Sequence, residues 1–315
     1  MAKFKKLVVR KDTLMLDFRS LTFLSVCKHM NFTKAAIELS LSQPAVSQHI
    51  RYLEDKYNCI LFIRNKKDIQ LTPEGKLLFS ALKTISQDEK KIYEQIRYLS
   101  DDKGMLKNYS FGLSMTIGEY AITPAILKLV HENPETNFHI KYQNTETLLK
   151  CLDNGIIDFA VVEGYVNSDY YNVKKISSEE YIPVCSGKYK FSKPVGQLSD
   201  LLGERLIHRE VGSGTLAMLI SILAMQNISI NDFGRTVEVN NMHMIVQLLK
   251  SSCGISFLYK SAVEPELKSG ELVEIKLKDF KVVHDFSFIW NKNSIFSDEY
   301  EGIYNRINDF LNEMQ

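Results

Sequence analysis

Between Leu16 and Met30 the chain is dominated by Phe and Leu and broken by neither Pro nor Gly, the pattern of a helix. Asn31 to Leu39 predicts a second, shorter helix with Thr33 as its expected N-cap, and Ser40-Leu41 turns the chain. A third helix starts at Ser42, a favoured cap, with Pro44 in the first turn, where a missing N–H costs nothing. Placing its residues roughly 100° apart gathers Val46, Ile50, Leu53 and Tyr57 into one apolar wall. Gln43, Pro44, Ser47, Gln48 and Arg51 fall on a different face. Two short helices about a tight turn have helix-turn-helix spacing. The amides, hydroxyl and guanidinium of the second face suit base edges and phosphates in a major groove. From this helix alone, an ordinary solvated face is as good a reading.

The polar and apolar pattern then changes twice. Leu61 to Thr72 holds two short β-compatible runs about a charged turn, a wing with Arg64, Lys66 and Lys67 near its tip, placed to lie along phosphates. Thr72-Pro73-Glu74 opens a long helix, with a capping hydroxyl, a proline at the first position and an acid at the positive end. Along it Leu78, Leu82, Ile85, Glu89, Ile92, Ile96 and Leu99 alternate spacings of four and three, a heptad seam with one polar member. Pairing with a second copy buries that stripe most economically, and packing on its own domain is the alternative.

After residue 104 strands alternate with helices, which predicts α/β units around a mostly parallel sheet. Strands are expected at Ser110 to Ser114, Phe138 to Gln143, Phe159 to Val162, Tyr181 to Cys185, Thr236 to Val239, Ile255 to Tyr259, Leu272 to Ile275 and Phe286 to Trp290. Helices are expected at Glu119 to His131, Thr145 to Asn154, Thr215 to Gln226, Met242 to Ser251 and Asp298 to Glu313. Two such lobes place a ligand cleft at strand C-termini and helix N-termini. The candidate lining is Ser114 and Thr116 after the first strand, Thr145 after the second and Glu163 after the third. Val211, Ser213 and Thr215 join them from a small loop that opens a helix. Taken singly, each is as readily a routine turn or cap. Glu163 complicates an anion there, and is expected to pair with Arg209 or to meet an amino group on a zwitterionic ligand.

Charge sharpens the division. The 315 residues carry a net charge of only +1, yet residues 1–100 hold 18 Lys and Arg against 10 Asp and Glu, while the remainder is acidic. A polyanion partner is therefore expected for the first part alone. The five cysteines are scattered and form no C-x-x-C pair, so neither a disulfide framework nor a zinc ribbon is indicated and reduced thiols are expected. No apolar run reaches the roughly 18 to 20 residues of a membrane span, and the basic N-terminus lacks a secretory pattern, which predicts a cytoplasmic chain. Phosphate-binding, zinc-protease and serine-hydrolase motifs are missing, and the seven His stand at no metal-ligand spacing. No catalytic residue, metal or cofactor is expected.

The ordered motif A-A-x-x-L-x-x-S-Q-P-A-V-S-Q-x-I, L-E, L-F-x-R, L-T-x-x-G resembles the DNA-binding half of LysR-type transcriptional regulators. Here it reads Ala35-Ala36, Leu39, Ser42 to Gln48, Ile50, Leu53-Glu54, Leu61-Phe62, Arg64, Leu71-Thr72 and Gly75. The remainder, more loosely, is similar to the family's effector-binding domain. Its R-E-x-G-S-G-T run and V-E-G recur in some branches, including sulfur-metabolism regulators similar to CysL. The resemblance implies an α plus α/β protein: a winged helix-turn-helix (15–72), a dimerising linker helix (73–103) and a two-lobed, periplasmic-binding-protein-like effector domain (104–315). Its first lobe is expected at about 104–177 and 279–315, its second at about 178–278. Residues 1–14 form an extension, because family members begin near Met15. The combined reading is a regulator of promoter DNA switched by a small, anionic metabolite. Gln43, Pro44, Ser47 and Gln48 read bases, and Thr33, Arg51 and Arg64 hold phosphates. Leu78, Leu82, Ile85, Ile92 and Ile96 dimerise the chain, and the resemblance implies either that dimer or a tetramer of two dimers, with RNA polymerase as a further partner it allows. The rival is a solute-binding or enzymatic α/β protein with an incidental basic domain.

Overall fold

Residues 16–64, 69–100 and 107–313 are described in the computed structural model, so the extension before Met15 and the wing-tip lysines Lys66 and Lys67 lie outside the described residues. The chain divides into two units near residue 105.

The first unit begins with α1 (Phe18–His29), whose Asp17 cap accepts from the Arg19 N–H at 2.7 Å. In α2 (Phe32–Leu39) the cap is Asn31, accepting from Lys34 N–H at 2.9 Å, rather than Thr33. Asn31 has the extended backbone a cap requires, and Thr33 already lies inside the first turn. Ser42 caps α3 (Gln43–Tyr57) by accepting from Ala45 N–H at 3.3 Å. Met30, Ser40 and Asn58 end the three helices in the left-handed conformation. Val46, Ile50 and Leu53 bury against Phe23, Val26, Ala35 and Ala36. Tyr57 does not join that wall: at the last position of α3 its ring stays exposed beside the Lys56 ammonium, 5.4 Å away.

The wing is an antiparallel pair, β1 (Phe62–Arg64) and β2 (Ile69–Leu71). Thr72 then caps α4 (Pro73–Ser100), its hydroxyl accepting from Gly75 N–H at 2.9 Å and donating to Ile60 O at 2.7 Å. A Cβ on Gly75 would fall 2.2 Å from the Leu61 carbonyl oxygen, so the L-T-x-x-G spacing reflects helix and wing backbones in contact. The seam divides along its length. Leu78 and Leu82 pack into the core formed by α1 to α3, Glu89 is buried, and Ile85 and Ile96 are exposed, with Ile92 half-buried.

The second unit runs β3 (Lys107–Ser114), α5 (Thr123–His131), β4 (Thr136–Gln143), α6 (Thr145–Asp153), β5 (Phe159–Val162) and β6 (Tyr171–Ser186). It continues through β7 (Arg205–His208), α7 (Gly214–Met225), β8 (Arg235–Glu238), α8 (Met242–Lys250) and β9 (Ile255–Tyr259). It ends with α9 (Glu264–Ser269), β10 (Leu272–Glu274), β11 (Val282–Asn291) and α10 (Ser297–Asn312). Strands lie in the order β4-β3-β5-β11-β6-β9-β7-β8, with β10 on β6. Parallel pairing holds within each lobe, β4-β3-β5 and β9-β7-β8. The sheet as a whole is mixed rather than mostly parallel, because β6 and β11 pair antiparallel from Val282 opposite Tyr181 to Asn291 opposite Tyr171. These two strands carry the chain between lobes, and a stack of Phe111, Phe159 and Phe288, with ring centroids 4.9 and 4.8 Å apart, fills the core beneath them. The helix expected from Glu119 instead makes a π-turn at Ile117–Ala121 and restarts at Thr123, where Pro124 suits a first turn. Among the described residues no helix is long and apolar enough to cross a membrane.

Candidate functional site

Two sites follow from this architecture, one in each unit. In the first, Gln43, Pro44, Gln48 and Arg51 are exposed on α3 and Ser47 is half-buried, with Gln43 Nε2 donating to Ser47 Oγ at 3.0 Å. They stand on the side of α3 away from Val46 and Ile50, both wholly buried. The helix is held from several directions. Glu54 accepts from the Leu61 N–H at 2.9 Å, which fixes α3 to the wing. The Arg19 guanidinium lies 3.9 Å from the centre of the Tyr52 ring. Glu38 on α2 accepts from Ser25, Lys28 and His29 of α1. His49 turns inward to Thr22, 2.9 Å away. Burial, and then the Arg19 charge, lowers its pKa, which keeps the ring neutral at ordinary pH. Such a scaffold presents a preformed polar helix face. Thr33 is exposed on α2. Arg64 ends β1, and its side chain lies outside the described residues.

The second site gathers the ends of β3 and β5 against the start of α7. Ser114, Thr116, Thr145, Glu163, Ser213 and Thr215 are all buried there. Two glycines make the junction possible. A Cβ on Gly214 would lie 2.3 Å from the Glu163 carbonyl oxygen, and Gly164, at φ +88°, brings its own backbone beside Gly214. Thr145 donates to the Glu163 carbonyl at 3.0 Å, and Glu146 N–H to that of Gly212 at 3.1 Å. The V-E-G and G-S-G-T runs are thus two halves of one backbone contact.

Glu163 takes the position expected for an external anion. Its Oε1 accepts from Thr215 N–H at 3.2 Å, from Thr215 Oγ1 at 2.7 Å and from Thr116 Oγ1 at 3.4 Å. Thr116 and Thr215 are also 3.3 Å apart across the two lobes. Ser213, the N-cap of α7, makes no side-chain cap bond. A carboxylate from β5 caps the helix in its place. Burial pushes the Glu163 carboxyl above the usual range, against the opposing pull of the Thr215 hydroxyl, the Arg209 charge and Thr116.

The expected pairing of Glu163 with Arg209 gives way to a nearer partner. Arg209 Nε and Nη2 donate to Glu210 at 2.8 and 3.1 Å, and Asn144 Nδ2 reaches Glu210 at 3.3 Å. Val211 is not part of the cluster, being 74% exposed. Sequence reasoning missed Tyr181, whose hydroxyl donates to Thr215 O at 3.0 Å from the middle of the unit. Its aromatic strand pattern reads as core, and nothing local marks its polar end. His208 donates from Nδ1 to the Arg209 carbonyl at 2.8 Å, a satisfied histidine. Burial raises the Cys27 and Cys185 thiols to about 12 and 11, well away from reactive thiolates. Among the described residues no group of three or more His, Cys, Asp or Glu could hold a metal ion.

Comparison with known proteins shows the family of both units. Residues 20–76 match the model of the bacterial regulatory helix-turn-helix protein, lysR family, and residues 107–298 that of the LysR substrate binding domain. The HTH-type transcriptional regulator CysL of Bacillus subtilis is 28% identical over 273 residues, covering 85% of this chain and 88% of its own. Full-length LysG of Corynebacterium glutamicum with bound effector Arg superposes with a TM-score of 0.59 at 14% identity, covering 94% and 97% of the two chains. An H2O2-bound cysteine-to-serine mutant of OxyR from the same organism gives 0.57 at 21% identity, covering 94% and 92%. At these identities the two structures speak for the fold.

Proposed function

The chain belongs to the LysR-type transcriptional regulators, DNA-binding proteins switched by small effectors, and from that premise we propose which of its surfaces does which task. Gln43, Pro44, Ser47 and Gln48 of α3 enter the major groove and read base edges, while Thr33, Arg51 and Arg64 hold phosphates on either side. The observation that carries this is the polar, exposed face of α3 set opposite the wholly buried Val46 and Ile50. Ile85, Ile92 and Ile96 pair with a second copy along α4, and two such dimers form a tetramer. Leu78 and Leu82 act differently, by anchoring the base of α4 to its own DNA-binding unit. The effector binds among Ser114, Thr116, Thr145, Glu163, Ser213 and Thr215, with Val211 at the rim. The protein works in the cytoplasm, with RNA polymerase as a further partner and no catalytic activity of its own.

Selection of duplexes from a random pool tests the α3 assignment. Gln48→Ala is expected to change the selected sequence and to cost roughly 1 to 3 kcal/mol on the wild-type site. Arg64→Ala is expected to weaken all duplexes alike and to flatten the salt dependence. Wild-type selection and affinity in both variants would place the reading surface elsewhere.

A further inference from the structure

Four polar atoms remain unanswered around Glu163. Its own Oε2, Ser114 Oγ, Ser213 Oγ and Arg209 Nη1 are buried and have no hydrogen-bond partner among the described residues. The four side chains are no more than 2% exposed, and buried polar atoms are normally paired. They stand together. Leu113 pairs with Val161, which puts Ser114 beside the end of β5 and so next to Glu163. Ser213 precedes Gly214, which touches Glu163, and the Arg209 charge acts on the Glu163 carboxyl.

The set has a definite chemistry. Glu163 Oε2 accepts, Arg209 Nη1 donates, and the two serine hydroxyls do either. The donors a bare anion would seek at the start of α7, the N–H and hydroxyl of Thr215, are already given to Glu163 Oε1. When Glu163 is ionised, two carboxylates, Glu163 and Glu210, stand against the single guanidinium of Arg209, so the cluster then repels added negative charge. We propose that the effector carries a protonated amino group for Glu163 together with a carboxylate for Arg209 and the serines, as an α-amino acid does, and is not a simple anion. The proposal rests on this cluster being the effector site. In the bound state the ammonium meets Glu163 Oε2, and the carboxylate accepts from Arg209 Nη1 and the hydroxyls of Ser114 and Ser213. Entry requires the two lobes to part at the Thr116–Thr215 contact.

Thermal shift followed by calorimetry on the full chain tests this. The probes are the genetically encoded amino acids, each beside the 2-hydroxy acid that replaces its amine, together with sulfate and phosphate. At least one amino acid is expected to bind. Its 2-hydroxy counterpart, and the same amino acid on Glu163→Gln, are each expected to bind weaker by about tenfold or more. Failure of every amino acid to bind overturns the proposal, as does undiminished binding by Glu163→Gln. Sulfate, phosphate or a 2-hydroxy acid that binds wild type and is lost in Ser213→Ala overturns the amine requirement but keeps the site. An amino acid bound equally by wild type, Glu163→Gln, Ser114→Ala and Ser213→Ala overturns the site itself.

Discussion

Replacing Gly214 by Ala probes the contact on which the Glu163 cluster is built. The added Cβ falls 2.3 Å from the Glu163 carbonyl oxygen and 2.4 Å from Glu163 Cγ. Carbon atoms rest best at about 3.5 to 4.0 Å, so the start of α7 and the end of β5 must separate by roughly 1 Å. The nearest obstacle is backbone, which cannot rotate out of the way, and such overpacking costs about 1 to 3 kcal/mol. The same movement stretches the bonds from Thr215 N–H and Oγ1 to Glu163, now 3.2 and 2.7 Å. Losing one hydrogen bond to an ionised group adds about 1.5 to 3 kcal/mol. A total of about 2.5 to 6 kcal/mol is a large share of an ordinary domain stability of about 5 to 15 kcal/mol. For a domain of about 200 residues it lowers the melting temperature by about 5 to 24 °C. Gly302 in α10 supplies the control, because its Cβ meets nothing within 4 Å. Gly302→Ala gains helix propensity of about 1 kcal/mol and melts a few degrees higher. Calorimetry of the two variants checks both signs. A Gly214→Ala protein that melts within about 2 °C of wild type would refute the tight junction and the cluster argued from it.

Two further outcomes follow from burial and exposure. The Glu163 pKa is raised by burial, so the stability its protonated form contributes is complete below the ordinary value of 4.5 and is lost as pH rises through the raised one. The groups facing it are Arg209, which opposes the shift, and the hydroxyls of Tyr181 and Tyr259, which burial pushes up and keeps protonated. Glu163→Gln is therefore expected to gain melting temperature over wild type as pH rises above 4.5, and a difference independent of pH would contradict the burial argument. The second outcome concerns α4, where Ile85→Ser with Ile96→Ser removes exposed apolar positions. Sedimentation at micromolar concentration is expected to shift toward monomer while the melting temperature stays close to wild type, and an unchanged assembly would exclude this stretch as the dimer seam.

The first unit was legible because its signals are local. Caps, the turn at Ser40 and the heptad spacing each lie within a few residues, and α3 follows its pattern from the Ser42 cap to Leu53. Thr33 misled because Asn31 and Thr33 are both good caps, and only the extended backbone at Asn31 decides between them. In the second unit some strands buried on both faces were readable from composition, such as Phe159 to Val162, whereas β7, buried at three of its four residues, was not foreseen. The first half of β6 was not, since its Lys, Ser and Glu residues alternate with only partial burial and its order comes from pairing with β11, more than 100 residues away in sequence. The site was legible as a set of strand ends and helix starts. Its occupancy by Glu163 was not, because which carboxylate meets which donor depends on the close approach of Gly164 and Gly214. Likewise, no spacing rule says that Arg209 takes its neighbour Glu210 in preference to Glu163.

The placement of α3 in a DNA major groove is tested most directly by dimethyl sulfate protection, which reports on guanine N7 at the major-groove edge. With the intact protein on a selected duplex, protection is expected in two half-sites separated by whole helical turns, as two copies joined through α4 would produce. In Gln48→Ala, protection is expected to fall at matching positions in both half-sites while the phosphate footprint remains. A bound duplex whose guanine N7 atoms stay fully reactive, or a protection pattern identical in Gln48→Ala, would contradict recognition by this helix.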